Sequence, residues 1–141
     1  MNNIFEIKFS FERKMNDEFI KVFATKQGGD FNVFTYYWQS FAWAAIIGFL
    51  KDKRIKLQPP IADRPFNLNT MRNNNGDKIV KALLCLVISK SKTLDILKTP
   101  EDAINIINEY ANGGYYYIQN VLENDVLSND LEFIKQEIFS R

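Results

Sequence analysis

An apolar stretch of 20 residues, Phe31–Leu50, limits what this chain can fold into more than any other feature. It reads FNVFTYYWQSFAWAAIIGFL and precedes the basic sequence KDKRIK. A helix needs about 20 residues to cross a bilayer, but only Phe41–Leu50 is continuously apolar. The polar residues of the stretch recur at helical spacing and gather on one side; they are Asn32, Thr35, Gln39 and Ser40. The pattern therefore predicts a buried central helix rather than a membrane anchor.

The composition of the 141 residues indicates one folded domain and narrows its chemistry. Hydrophobic residues make up 46% of the chain and aromatic residues 14%, which is enough apolar surface for a core. Because these residues include no His, they cannot form a Ser–His or Cys–His catalytic pair by themselves. The single cysteine, Cys85, lies in an apolar run and is expected to be reduced and buried. We therefore expect no disulfide, no metal and no cofactor. The N-terminus lacks a signal-peptide pattern, which predicts a cytoplasmic protein.

Helical signals recur along the chain and predict a mainly α fold. We expect a single domain, residues 1–141, in which about five to seven helices surround the central aromatic-rich helix. Asn16 is the expected N-cap of a first helix that ends at Gln27, and Thr99 with Pro100 marks the start of another. Further helices are expected from Asp30 or Asn32, from Asp77, over the sequence SKTLDIL and from Ser128. The predicted core contains Trp43, Ala44, Ile47, Leu83, Leu86, Ile106 and Tyr110.

Two segments do not fit the helical pattern. Residues 4–11 alternate between apolar and polar side chains, which is typical of a half-buried strand. This strand would pair with Arg54–Gln58 in a small β-ribbon, or with a second copy of the chain across a dimer interface. Residues 54–76 contain three prolines and the sequence NLNTMRNNNG. We interpret them as a long surface loop, of the kind that is usually functional or mobile.

The sequence EYANGGYYYI, Glu109–Ile118, places two glycines where a helix would otherwise continue. Gly-rich loops that bind phosphate follow a strand and carry a lysine or spaced glycines, and this stretch does neither. Helices commonly end at a residue with positive φ, which Asn112, Gly113 or Gly114 can adopt. We therefore interpret Asn112, Gly113 and Gly114 as a structural corner between two helices, covered by the tyrosines that follow.

Two blocks of the sequence resemble the Dnd-system-associated accessory proteins. The blocks are FAWAAIIGFLKDKRIKLQ, Phe41–Gln58, and EYANGGYYYI, and the resemblance spans residues 31–122. Members of this family are encoded near bacterial DNA phosphorothioation and restriction genes. The resemblance implies an accessory role in defence linked to DNA modification, with partners among the proteins of a modification or restriction complex.

Charge is divided unevenly along the chain. Residues 1–92 carry 15 Lys and Arg against 8 Asp and Glu, whereas residues 93–141 carry 3 against 9. The candidates for contact with DNA phosphates are Lys51, Lys53, Arg54, Lys56, Arg64 and Arg72. No DNA-recognition motif accompanies them, and the same cations also suit a solvated helix end. Because one part of the chain is basic and the other acidic, head-to-tail pairing in a homo-oligomer is a further interpretation of the charge pattern.

These observations leave more than one function open. We expect a non-enzymatic accessory or adaptor protein that binds DNA or a DNA-processing complex. A small-molecule or magnesium-dependent enzyme would need acidic residues, and the candidates are Asp63, Asp77, Glu101, Asp102 and Glu109. No two of these have a diagnostic spacing, and no nucleophile–base arrangement accompanies them. A purely structural, oligomeric protein is the third alternative.

Overall fold

The computed structural model describes residues 3–24, 33–62 and 66–124, and within these ranges the chain is mainly α-helical, as predicted. The helices are α1 (Arg13–Met15), α2 (Lys21–Phe23), α3 (Tyr37–Leu50), α4 (Leu68–Arg72), α5 (Asp77–Ser91) and α6 (Pro100–Glu123). A π-helical turn, Asn16–Ile20, joins α1 to α2, and 3-10 helices form at Ile4–Glu6 and Leu94–Lys98. The helix expected from Ser128 and the helix end expected at Gln27 lie outside the described residues.

α3 is the central helix, but it begins later than the apolar stretch does. The side chain of Gln39 accepts hydrogen bonds from the backbone N–H groups of Thr35 and Tyr36, each at 2.9 Å. This cap starts the helix at Tyr37, so residues 33–36 are not helical. Asp30 and Asn32, the expected helix starts, lie outside the described residues. Among the residues that the structure describes, no helix combines the length and the apolar content needed to cross a bilayer.

Gly48 and Gly114 bring α3 and α6 into backbone contact. A Cβ on Gly114 would overlap the carbonyl oxygen of Ala44 and lie 2.9 Å from the backbone nitrogen of Gly48. A Cβ on Gly48 would overlap the carbonyl oxygen of Tyr110 and lie 2.9 Å from the backbone nitrogen of Gly114. Only a hydrogen atom fits at either position, so glycine Cα–H groups face carbonyl oxygens across the crossing. Ala44 and Gly48 are one helical turn apart, a spacing of small residues that lets helix backbones approach closely.

The predicted corner at Asn112, Gly113 and Gly114 is wrong, because α6 is one continuous helix of 24 residues. Neither glycine has a positive φ. Two glycines in a helix interior cost about 2 kcal/mol relative to alanine. Burial of Tyr110, Ala111 and Tyr115 around the crossing offsets this cost.

The predicted start of α6 is confirmed. Thr99 is the N-cap residue and Pro100 is the first helical residue. Glu101 and Asp102 follow in the first turn, where negative charge complements the positive end of the helix dipole.

The predicted strand at residues 4–11 is wrong. The side chain of Asn3 accepts a hydrogen bond from the N–H of Phe5 and starts a 3-10 helix within the segment. The rest of the segment forms no strand, and the antiparallel bridge that follows it joins Glu12 to Ile61. No ribbon forms with Arg54–Gln58, because that segment runs along α6 instead.

The alternation of residues 4–11 nevertheless identifies the buried side of this segment. Phe9 and Phe11 are buried, and both rings pack against Phe41 of α3 and against Phe66. These ring contacts hold residues 4–11 against the core, although no neighbouring strand in the described part of the chain pairs with them.

The predicted loop at residues 54–76 is only partly a loop. The side chain of Asn67 accepts from the N–H of Thr70 at 2.9 Å, and the Thr70 hydroxyl oxygen accepts from the N–H of Asn67 at 3.3 Å. This reciprocal cap starts α4, whose Leu68 and Met71 are fully buried. The second half of the segment therefore belongs to the core, while Arg54–Pro60 is largely exposed.

Most of the predicted core is confirmed. Ile47 is half-buried, and the buried members are Ala44, Leu83, Leu86, Ile106 and Tyr110. The assignment of Trp43 to the core is wrong, since its side chain is 38% exposed and packs on Phe19 at the edge of the core.

Two further predictions are wrong because of helical phase and capping. Leu83, Leu86 and Val87 occupy the buried side of α5, so Cys85 falls outside that side and is exposed. Asn16 does not cap the first helix, since the helical turns begin three residues earlier at Arg13, with Glu12 as the N-cap residue.

Candidate nucleic-acid interface

The basic segment, Lys51–Lys56, leaves the end of α3 through a tight turn. Asp52 adopts a left-handed conformation with φ 53°, and the N–H of Lys53 donates to the carbonyl of Gly48 at 2.8 Å. All six residues of the basic segment are exposed. The turn therefore presents a short cationic stretch to solvent, with Asp52 as its one acidic residue.

Contacts with α6 hold the basic segment in place. The N–H of Ile55 donates to the carbonyl of Glu109 at 3.1 Å, and the carbonyl of Lys53 lies where a Cβ on Gly113 would be. The side-chain amide of Asn112 donates to the carbonyl oxygens of Ile55 at 3.3 Å and Lys56 at 3.4 Å. Asn112 and Gly113, which we predicted to form a corner, thus position the basic segment against an uninterrupted helix.

A buried carboxylate, Glu12, lies beneath the basic segment and is only 1% exposed. Its Oε2 accepts hydrogen bonds from Nδ2 of Asn112 at 2.9 Å and from the N–H of Gln58 at 2.8 Å. Its Oε1 accepts from the hydroxyl of Tyr116 at 2.8 Å and lies 3.9 Å from Nζ of Lys14. These hydrogen bonds and the nearby ammonium group offset the free-energy cost of removing the Glu12 carboxylate from water. Glu12 thereby joins the N-terminal segment to α6 and to Gln58, which follows the basic segment, while Asn112 makes the contacts with the basic segment itself.

Two lysines from distant parts of the chain lie over neighbouring tyrosine rings of α6. Nζ of Lys14 is 4.5 Å from the centroid of the Tyr116 ring, and Nζ of Lys51 is 5.4 Å from that of Tyr117. Both distances fall in the range of cation–π contact. We name this region the lysine–tyrosine surface; its members are Lys14, Lys51, Lys53, Lys56, Tyr116 and Tyr117.

The predicted arginines contribute less to this surface than the lysines do. Nε of Arg54 donates to Oε1 of Glu109 at 2.7 Å, and its guanidinium lies 5.9 Å from the Tyr110 ring centroid. Arg72 lies on α4, where it donates to Asn69 and packs over the ring of Phe5. Arg64 lies outside the described residues. Of the predicted candidates, the structure brings together Lys51, Lys53, Arg54 and Lys56.

The acidic residues considered for an enzyme lie in separate places. Asp77 is in the first turn of α5, and Glu101 and Asp102 are in the first turn of α6. Glu109 forms the ion pair with Arg54, while Asp63 lies outside the described residues. In the part of the chain that the structure describes, no three His, Cys, Asp or Glu residues are arranged to hold a metal ion.

Sequence reasoning missed Glu12, Lys14, Tyr116 and Tyr117 as site residues. Lys14 follows Arg13 and forms a local basic pair, and the tyrosines of α6 are conspicuous, so both carried a weak signal. What brings them together is Glu12, which is separated from Asn112 by 100 residues. No local pattern marks a contact across that separation.

Three side chains at this end of α6 have shifted pKa values. Burial, followed by a hydrogen bond of 2.5 Å to Oε2 of Glu18, raises the pKa of Tyr115. Burial also raises the pKa of Tyr116. Hydrogen bonding to Tyr116 raises the pKa of Lys14 above its ordinary value of 10.5.

We expect the protein to lose stability as the pH rises above the ordinary tyrosine pKa of 10.0. In the unfolded chain Tyr115 loses its proton near that pH, whereas in the folded chain it keeps the proton to higher pH. Unfolding therefore releases a proton in this window, and the free energy of unfolding falls as pH increases. Below the unfolded pKa the contribution is fully present.

Urea unfolding followed by circular dichroism between pH 9 and pH 12 measures this decline. Tyr115→Phe should show a shallower fall of the urea midpoint with pH than the unmodified chain. Tyr117→Phe, which removes another tyrosine hydroxyl of α6, is the matched control. Equal slopes for the unmodified chain and Tyr115→Phe would contradict the assignment.

Comparison with known families gives one match. The family model described as DNA sulphur modification system-associated protein 4 matches residues 12–141, which includes every residue of the lysine–tyrosine surface. This match confirms the resemblance to the Dnd-associated proteins. No curated protein and no solved structure matches the chain significantly.

Proposed function

The chain belongs to the DNA sulphur modification system-associated protein 4 family, and we propose that it acts in such a system by holding DNA on its lysine–tyrosine surface. The proposal includes no catalytic step. The observation that carries it is the meeting of Lys14 and Lys51 on adjacent tyrosine rings, beside the exposed Lys53 and Lys56.

The chemistry of this surface suits the DNA backbone rather than the bases. Lysine ammonium groups contact phosphates as point charges, and such contacts position a protein on DNA without reading its sequence. The tyrosine rings and the contacts with α6 hold the cations in place, which reduces the entropy lost on binding. We therefore expect weak binding that is insensitive to sequence and sensitive to salt.

A fourfold charge change tests this proposal. Lys14, Lys51, Lys53 and Lys56 are each replaced by Gln, and the affinity for a 20-base-pair fluorescent duplex is measured by anisotropy between 50 and 200 mM NaCl. We expect most of the binding to disappear. In sets with fewer replacements, the log–log dependence of affinity on salt should flatten by about 0.9 for each phosphate that the protein no longer neutralises.

The matched control changes four lysines of a different region. Replacement of Lys78, Lys81, Lys90 and Lys92 by Gln alters the net charge equally but affects α5 and the residue that follows it. Its affinity and salt dependence should stay close to those of the unmodified chain. Equal losses in both sets would show that any binding follows net charge alone. Absence of binding by the unmodified chain at 50 mM NaCl would overturn the proposal.

A further inference from the structure

An apolar groove of about 350 Å³ lies between α3 and α5, separate from the lysine–tyrosine surface. We name it the Cys85 groove; its lining residues are Ile46, Phe49, Ala82, Cys85, Leu86 and Ser89. Leu50 lies four residues after Ile46 on the same side of α3, and its side chain is 68% exposed. The apolar surface therefore extends from the groove floor onto an exposed rim.

The α5 side of the groove continues into basic residues. Lys78 lies four residues before Ala82, and Lys81 lies four residues before Cys85, so both share the helix face of the groove. Both lysines are exposed, and within the described residues neither forms an ion pair. The groove thus offers an apolar floor beside cations that are free to pair with incoming carboxylates.

This combination selects among possible occupants. A small molecule would need several convergent polar groups to fix its orientation, and the lining supplies only Ser89 and the Cys85 thiol. A symmetric dimer through the groove would bring the exposed lysines of α5 in both copies to one interface, which is unfavourable. A concave groove between helices instead fits the apolar stripe of a third helix.

We propose that the Cys85 groove binds an amphipathic helix of a partner protein, with acidic residues beside its apolar stripe. The partner's apolar side chains enter between Phe49 and Cys85, and its carboxylates pair with Lys78 and Lys81. The family's association with a DNA sulphur modification system makes the other proteins of that system the first partners to test.

Zero-length cross-linking tests the proposal directly. The full chain is purified together with the other proteins of the system, and a carbodiimide couples lysine amines to carboxylates in contact. We expect mass spectrometry to find Lys78 or Lys81 joined to Asp or Glu of a partner segment with apolar residues at helical spacing. Alkylation of Cys85, the single cysteine of the chain, should slow at least tenfold in the complex.

Two variants separate docking from misfolding. Ala82→Glu places a carboxylate at an exposed position of the groove and should abolish both the cross-link and the protection of Cys85. Asn105→Glu adds the same group to an exposed position of α6 and should change neither. Circular dichroism melts of both variants verify that the fold is kept, and binding of the DNA duplex should be unaffected.

Three results would overturn the proposal. The first is coupling of Lys78 and Lys81 only to carboxylates of the same chain or of a second copy. The second is protection of Cys85 by vesicles containing phosphatidylserine but by no protein of the system. The third is an unchanged alkylation rate in the presence of all those proteins.

Discussion

Gly114→Ala is expected to lower the free energy of unfolding by about 2–3 kcal/mol, although alanine is the better helix former. The new Cβ would overlap the carbonyl oxygen of Ala44 and approach the backbone nitrogen of Gly48. Both atoms belong to the backbone of α3, so no side chain can rotate away to make room. The two helices must separate, and the packing of Tyr110 and Tyr115 around the crossing is then disturbed.

Helix propensity predicts the opposite sign, which makes this test sharp. In an exposed helix, replacing Gly by Ala stabilises by about 1 kcal/mol. Asn105→Ala, at an exposed position of the same helix, is the control and should be neutral or slightly stabilising. Chemical denaturation of both variants measures the difference. A gain in stability for Gly114→Ala would mean that the α3–α6 crossing is wider than described.

A double-mutant cycle tests whether Gly48 and Gly114 act at one contact. Gly48→Ala should be similarly destabilising, since its Cβ would overlap the carbonyl of Tyr110. Once one alanine has separated the helices, the second meets less resistance. The double variant should therefore lose less stability than the sum of the single variants. Strict additivity would contradict a shared crossing.

The glycine pair also shows what the sequence could and could not predict. Glycine follows an apolar helical pattern in two situations. In the first the helix ends at the glycine, and in the second the helix continues and crosses another helix there. The local sequence around Gly113 and Gly114 is compatible with both. The difference lies in what occupies the space beside the glycine, namely the carbonyls of Ala44 and Lys53. Those two residues belong to α3 and to the basic segment, about 60 to 70 positions earlier in the chain.

Features that depend on local chemistry were predictable. Thr99 and Pro100 start α6 as expected, and the alternation of residues 4–11 identified Phe9 and Phe11 as the buried side of that segment. The backbone conformation of the segment was not predictable, because a strand exists only where a partner strand runs beside it. The cap formed by Asn67 and Thr70 was present in the sequence, but three nearby prolines led us to interpret the region as a loop.

For the lysine–tyrosine surface, the exposed cations were predictable and the scaffold was not. Lys51, Lys53 and Lys56 follow an apolar helix, so their exposure follows from the pattern. Glu12, by contrast, resembles any charged residue of an alternating segment, and charged residues are usually exposed. Its burial depends on donors supplied by Gln58, Asn112 and Tyr116.

Glu12→Ala is expected to reduce the free energy of unfolding by about 2–4 kcal/mol. The change leaves the side-chain amide of Asn112 without its shortest hydrogen bond in a fully buried position. It also removes the acceptor of Gln58 and Tyr116, and it creates a cavity where the carboxylate was. Glu12→Gln keeps the volume but places an amide N–H₂ among donors, so it should be destabilising to a smaller degree. Glu123→Gln, at an exposed position of α6, should have little effect.

The same variants separate support of the basic segment from contact with DNA. Glu12 carries a negative charge, so its removal would strengthen DNA binding if net charge alone governed affinity. If Glu12 instead fixes Asn112, whose amide donates to the carbonyls of Ile55 and Lys56, Glu12→Gln should weaken binding while the protein is still folded. Anisotropy measured at a temperature where both variants are fully folded distinguishes the two signs. Tighter binding by Glu12→Gln would mean that the Glu12 carboxylate contributes to stability alone. Weaker binding would mean that the carboxylate also positions Lys53 and Lys56 for contact with DNA.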